Sequence, residues 1–239
     1  MGRYNLGCGR TRLEGWTNVD IEPSEATDLV ADLTEVTGIE DASGIVSNAF
    51  FEHLPRGKRV AHLRSVRRAL AADGFVCYLG LPNFRAIAEL YLNGGPGTIG
   101  PVFNLYNAYW YTHGDPELVA PNAYFEQLHK SLFDTDEVAE LLSDAGFPAF
   151  TSFSYAHPGD PVAISLGFYA TAGGQPVDEL ERDARALLAG FDGKFLDASS
   201  LAFVDGTSRS PLGARVMEVP ERTGLKRIAR VVAIRLWLR

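Results

Sequence analysis

Short apolar runs, each closed by a glycine or an acid, punctuate the amino-terminal part of the chain. Residues 4–6, 16–21 and 29–31 are such runs, and residues 44–48 form a fourth that is apolar on both sides. Runs of this length bounded by turn formers predict β-strands. Val60, Leu63, Val66 and Leu70 recur at helical spacing, which predicts a helix over 55–73 with Gly74 just past its end. A strand over 75–81 follows, stopped by Pro82, then a helix over 85–92 that leads into Asn93-Gly94-Gly95-Pro96-Gly97. Asp134, with Glu137 three positions on, marks the start of another helix, whose apolar side is Val138, Leu141 and Leu142 and whose end is Gly146. Residues 150–155 and 162–170 predict an antiparallel pair, and 176–189 a further helix. Residues 191–220 are rich in turn formers and predict irregular structure. In 221–239, Leu225, Ile228, Val232 and Leu236 share one helical face, interleaved with arginines.

Short apolar strands alternating with helices imply a mostly parallel sheet with right-handed crossovers. The expected fold class is therefore α/β: a Rossmann-like sheet, mostly parallel with the last strand antiparallel, and helices on both faces. The division of pattern places a core over 1–172 that contains a lid insertion over 84–128. A carboxy-terminal extension, helical and partly irregular, would occupy 173–239.

Composition narrows the function. With 239 residues, 46% of them hydrophobic, the chain is long enough for one domain with sizeable additions. A net charge of −8 argues against a broad phosphate-backbone footprint, so no nucleic-acid partner is expected. The two cysteines, Cys8 and Cys77, form no disulfide framework, which makes a cytoplasmic location the expectation. The glycine turn begins almost at once, so no signal peptide is expected, and no apolar run is long enough to span a bilayer.

The chemistry starts in Asn5-Leu6-Gly7-Cys8-Gly9, where a strand enters a turn with two glycines, and continues in Asn18-Val19-Asp20-Ile21, where the next strand ends on an acid. Glycine lets a ligand approach the main chain closely, and an acid at that strand tip can accept both hydroxyls of a ribose. Ala31-Asp32-Leu33 ends the third run, and Ser47-Asn48-Ala49-Phe50-Phe51-Glu52-His53-Leu54 follows the fourth. Taken in order, and with His129-Lys130-Ser131-Leu132-Phe133-Asp134 running on to Ala145-Gly146-Phe147, these segments resemble the class I S-adenosylmethionine-dependent methyltransferases, of a compact bacterial type acting on glycans and secondary metabolites. The resemblance covers about residues 3–170. It implies S-adenosyl-L-methionine as cofactor, held by Asn5, Gly7, Cys8, Gly9, Asp20, Ile21, Asp32, Leu33 and Asn48.

Two departures from that pattern stand out. Arg10-Thr11-Arg12 replaces the usual third glycine, and Asp20 comes too soon for a full first crossover helix. A nicotinamide or flavin fold needs G-x-G-x-x-G and an acid about twenty residues later, because a pyrophosphate sits on that helix. A cofactor without pyrophosphate tolerates the loss.

Methyl transfer to a hydroxyl needs alignment and removal of a proton. Glu52, His53 and His129 are the candidate catalytic residues. Glu52 has an alternative as the partner of a neighbouring arginine, His53 as the start of a helix and His129 as a hinge. No specific metal-ligand spacing occurs, so no metal is expected. The aromatic-rich insertion offers Tyr106, Tyr109, His113 and Tyr124 for a saccharide or small-molecule acceptor, and equally for a lid core. The arginines of the 56–68 helix are expected in solvent. The basic carboxy-terminal helix has two readings: docking on the body or on a second copy as a homodimer, or peripheral membrane contact on anionic lipid with Trp237 at the interface. The leading expectation is an enzyme that O-methylates a saccharide, glycolipid or small metabolite; the alternatives are N-methylation of a small molecule and a non-catalytic cofactor-binding interaction protein.

Overall fold

In the computed structural model, residues 2–93, 98–99, 103–104, 129–160 and 162–204 are described. Strands β1 (Arg3–Leu6), β2 (Thr17–Asp20), β3 (Leu29–Val30), β4 (Ala42–Asn48) and β5 (Leu70–Pro82) are parallel. A two-stranded ribbon, β6 (Thr98–Ile99) with β7 (Phe103–Asn104), lies in the insertion. Strands β8 (Ala149–Ala156), β9 (Ser165–Thr171) and β10 (Asp197–Val204) complete an eight-stranded sheet of order β10-β8-β9-β5-β4-β1-β2-β3. Strand β9 runs antiparallel to both β5 and β8. This is the expected class, a doubly covered α/β sheet with antiparallel β9 inserted between β5 and β8, and with β10 antiparallel to β8 at the edge.

Alternation along the strands sorts the core into two layers. Ile45, Val76, Tyr78, Leu166 and Phe168 face helices α1 (Arg56–Ala69) and α3 (Thr135–Ala145), which add Leu63, Val66, Val138 and Leu142. Val46, Cys77, Leu79, Phe153 and Tyr155 face α4 (Val177–Ala189) through Leu180, Ala184 and Leu188. Helix α2 (Phe84–Leu92) packs Ile87 against Ile164 in a small separate cluster. Asp134 caps α3 by accepting the Glu137 N–H at 2.8 Å, and Gly146 ends it at φ 87°.

No helix joins β1 to β2 or β2 to β3, so loops cover that end of the sheet. Leu13 and Trp16 plug one face, and Leu33, Val36 and Ile39 the other. Paired amides hold the first loop. The Asn5 amide donates to Asn18 Oδ1 at 3.0 Å and to the Thr11 carbonyl at 3.2 Å. Asn18 Oδ1 in turn accepts the Leu13 N–H, while its amide donates to Leu13, Trp16 and Asp28. A side-chain network thus satisfies the backbone that a crossover helix would have satisfied internally.

The structure corrects the expected elements in several places. Helix α1 stops at Ala69, not at 73, because Leu70 is already extended and pairs with Ala42. Gly74 therefore lies within β5, where an added Cβ would sit 2.5 Å from the Ala42 carbonyl. Residues 162–164 precede β9 rather than extending it. Residues 197–204, expected to be irregular, form β10: Ala202, Phe203 and Val204 pair with Ser154, Phe153 and Ser152 beyond a bulge that hides the alternation. The arginine-rich helix is not wholly solvated: Arg59 is 0% exposed. Strand β10 pairs with β8, and α4 packs Leu180, Ala184 and Leu188 on the same face of the sheet as Phe153 and Tyr155. Among the described residues no helix is long and apolar enough to cross a membrane.

Candidate functional site

The carboxyl ends of β1, β2 and β4 form one edge, where open α/β sheets bind ligands. At β1 the chain turns through Gly7, whose N–H, like that of Cys8, donates to the Val19 carbonyl. Gly7 has φ 65°, and a Cβ there would lie 2.7 Å from Cβ of Phe50, so the turn closes against the segment that follows β4. At β2, Asp20 Oδ2 accepts the Gly9 N–H at 2.7 Å and Oδ1 accepts the Glu22 N–H at 3.0 Å. These bonds fix the carboxylate yet leave each oxygen a further lone pair. Ile21 beside it is 63% exposed, an apolar side chain held at the lip. Asp32 accepts the Thr34 N–H at 2.8 Å, a bond that draws its carboxyl below the usual range. At β4, Asn48 Oδ1 is buried without a hydrogen-bond partner among the described residues.

Not every candidate at this edge presents its side chain to it. The Asn5 amide is spent on the loop. Leu33 is in the core, its carbonyl bonded to His62 Nδ1 at 2.7 Å. Cys8 is nearly buried, and that burial raises its thiol pKa.

Past β4 the chain kinks at Ala49 (φ 55°), interlocked with Gly80, where a Cβ would lie 2.5 Å from the Ala49 nitrogen. One turn of 3₁₀-helix (Phe51–His53) follows. Phe51 drives into an aromatic cluster with Tyr78, Phe133 and Phe168, and this anchoring leaves Glu52 0% exposed. The segment returning from the insertion docks alongside: the Lys130 N–H donates to the Glu52 carbonyl, and the Phe133 N–H to that of Pro82.

This docking brings together all three catalytic candidates. His53 Nε2 lies 3.8 Å and His129 Nε2 4.0 Å from Glu52 Oε1, with the imidazole centroids 5.3 Å apart. Neither carboxylate oxygen of Glu52 has a hydrogen bond among the described residues. Desolvation pushes the Glu52 pKa up to about 8, against the opposing pull of the backbone and of Arg59. The carboxyl therefore exchanges its proton near neutrality, as acid–base chemistry requires.

Arg59 is the residue whose role at this site is not evident from the sequence. Its guanidinium donates to Ser131 Oγ at 2.8 Å and to the Leu54 carbonyl at 3.0 Å, and it stacks over the Phe133 ring at 4.7 Å. It thereby ties the turn carrying Glu52 to the segment carrying His129. Its spacing from Leu63 and Val66 places it on the buried face. Tyr106, Tyr109, His113 and Tyr124, together with the basic carboxy-terminal helix and Trp237, lie outside the described residues. A separate cavity of about 620 Å³ opens at the other end of β1, beside Arg3, Trp16, Phe75 and Tyr169.

No family model and no curated protein matches the chain. Similar solved structures include a SAM-dependent methyltransferase from Methanosarcina mazei, at 16% identity over 73% of this chain and 93% of that one, with a TM-score of 0.47. A second, from Thermotoga maritima, is 16% identical over 72% and 82%, with a TM-score of 0.45. A third is the Burkholderia thailandensis 1,6-didemethyltoxoflavin-N1-methyltransferase, 19% identical over 71% and 69%, with a TM-score of 0.44. With TM-scores below 0.5, these similarities assign neither reaction nor acceptor, and the chemistry rests on the site.

Proposed function

We propose that this chain is an S-adenosylmethionine-dependent methyltransferase that methylates a hydroxyl of a saccharide, glycolipid or small metabolite. One juxtaposition carries this conclusion. A glycine turn that bonds a strand-end acid suited to a nucleoside closes at Gly7 against Phe50, two residues before a buried carboxyl flanked by two imidazoles.

The residues at the strand ends fit the cofactor. Asp20 presents two fixed acceptor oxygens to a vicinal diol, Ile21 offers an apolar surface to a purine, and Asn48 Oδ1 is a buried acceptor that calls for a donor. The first turn, lacking a crossover helix, has no N-terminus to cradle a pyrophosphate, which disfavours a dinucleotide. When bound, S-adenosylmethionine supplies a methyl group on a sulfonium, already activated for in-line displacement. The protein's share is alignment and deprotonation. Glu52, in its ionised form, accepts the proton of the acceptor hydroxyl, and half-buried His53, 3.8 Å away, passes that proton towards solvent through a bridging water.

Calorimetry with S-adenosylhomocysteine tests the cofactor, with binding in the micromolar range expected and no binding at millimolar ligand overturning the proposal. A Glu52→Ala/His53→Ala double variant should keep that binding while losing turnover on polyol and saccharide acceptors. Full activity in the double variant would remove the proposed base.

A further inference from the structure

We infer that Glu52, His53 and His129 form a binding site for a divalent transition-metal ion. Their ligand atoms all lie within 4.8 Å of one another, and Glu52 Oε1 stands 3.8 Å from one imidazole Nε2 and 4.0 Å from the other. These separations are too long for direct hydrogen bonds, which close at about 2.7–3.2 Å. They suit an intervening ion, since zinc takes imidazole nitrogen and carboxylate oxygen at about 2.0–2.2 Å, and a small contraction brings the three atoms to that radius.

The second observation is independent of the spacing. Glu52 is 0% exposed, and both its carboxylate oxygens lack a hydrogen bond among the described residues. A buried polar group is normally paired, and buried charges are paired or coordinate metals. The donor set selects the ion. Two imidazoles with one carboxylate favour zinc, iron or cobalt over calcium and magnesium, which prefer oxygen alone. Three protein ligands leave a coordination position open, as in catalytic rather than structural sites.

The role of the ion rests on the methyl-transfer proposal; the site itself does not. An acceptor hydroxyl at the open position is acidified by the ion and loses its proton to solvent water. The O–CH3 bond then forms as the S–CH3 bond breaks, the sulfur keeping the electron pair as a neutral thioether. In that case Glu52 serves as ligand, and the proton leaves by way of water.

The test uses the metal-stripped full chain and Co2+ as probe, with Zn2+ as competitor. One Co2+ per chain is expected, giving visible d–d absorption that Zn2+ abolishes. Glu52→Gln and His129→Ala should each weaken Co2+ binding by about tenfold or more. His53→Ala, at a partly exposed position, provides a third variant should a buried substitution unfold the chain, with circular dichroism as the control. Absence of d–d absorption in the wild type, or unchanged binding in the folded variants, overturns the site. S-adenosylhomocysteine binding on the same samples separates the two ideas: Co2+ binding without it leaves the metal site standing and removes the methyl-transfer role, whereas the reverse removes the metal alone.

Discussion

His129 Nε2 stands 4.0 Å from Glu52 Oε1, although the two residues come from opposite sides of the 84–128 insertion. Both are placed by aromatic anchors, Phe51 on one side and Phe133 on the other, whose rings pack at 5.8 Å. The candidate cluster is thus built by core packing, with the polar groups carried along at its edge.

A carboxyl buried in this way lowers the stability of the ligand-free protein. Its folded pKa, about 8, lies above the 4.5 of an exposed glutamate, so between these values the unfolded chain holds fewer protons than the folded one. Stability should therefore fall as pH rises from 4.5 to 8. Glu52→Met, similar in volume and without charge, should remove that slope and raise stability by about 1–4 kcal/mol at pH 8.5, while abolishing turnover. Urea midpoints at pH 5 and pH 8.5 measure this, and equal slopes in wild type and variant would contradict it.

Arg59→Lys tests the strap between the two halves of the cluster. Lysine keeps the charge but has no planar fork to reach both Ser131 and the Leu54 carbonyl. The expected outcome is a loss of kcat of tenfold or more with S-adenosylhomocysteine affinity nearly unchanged, because Asp20 and the Gly7 turn lie on other strands. Arg59→Met should cost about 1–3 kcal/mol, because the Leu54 carbonyl and Ser131 Oγ lose their donor, while Glu137, 3.7 Å away and partly exposed, can turn to solvent. An equal fall in kcat and cofactor affinity in the lysine variant would argue against the strap.

The first three strands were legible because each is a short apolar run closed by a glycine or acid, and Asp20 could be placed at a strand tip on that ground alone. The loop-for-helix replacement between β1 and β2 was legible from spacing. The Asn5–Asn18 network that makes it stable was not, because paired amides leave no periodic trace. Leu70 continues the helical spacing of α1 yet pairs with Ala42, so tertiary pairing overrode local pattern. In β10 a bulge breaks the alternation. Glu52 and His53 were found as neighbours in sequence, whereas the convergence of His129 upon them depends on how the insertion returns. Arg59 sat in a run of basic residues that are otherwise exposed, and composition masked its burial.

The two glycines of the first turn should respond differently to alanine. Both have positive φ, 65° at Gly7 and 53° at Gly9, and left-handed backbone costs a residue with a Cβ about 1–2 kcal/mol. At Gly9 a Cβ meets open space, whereas at Gly7 it would lie 2.7 Å from the Phe50 Cβ. Gly7→Ala should therefore displace Phe50 and weaken S-adenosylhomocysteine binding much more than Gly9→Ala. Phe50→Gly, which removes that Cβ, should restore part of the Gly7→Ala loss. Calorimetry on the four proteins decides, and equal losses at both glycines would remove the steric explanation.

His62 should set the acid limit of the fold. It is fully buried beneath Phe50 and Phe51, with Nδ1 2.7 Å from the Leu33 carbonyl and Nε2 2.7 Å from the Tyr78 hydroxyl. A carbonyl only accepts, so Nδ1 carries the hydrogen, and neutral Nε2 accepts from Tyr78. Protonation would place a second donor against that hydroxyl and a charge in the core, and desolvation accordingly lowers the His62 pKa to about 4. The ordinary value is 6.5, so between pH 6.5 and 4 the unfolded chain binds the extra proton. The stabilisation is complete above 6.5 and falls with pH through that window, by about 3 kcal/mol in all. His62→Phe combined with Tyr78→Phe removes the titrating ring and its partner together, leaving no orphaned hydroxyl. The double variant should show a flatter loss of stability from pH 6.5 to 4 whatever its absolute stability. An acid slope as steep as that of the wild type would place the acid sensitivity elsewhere in the molecule.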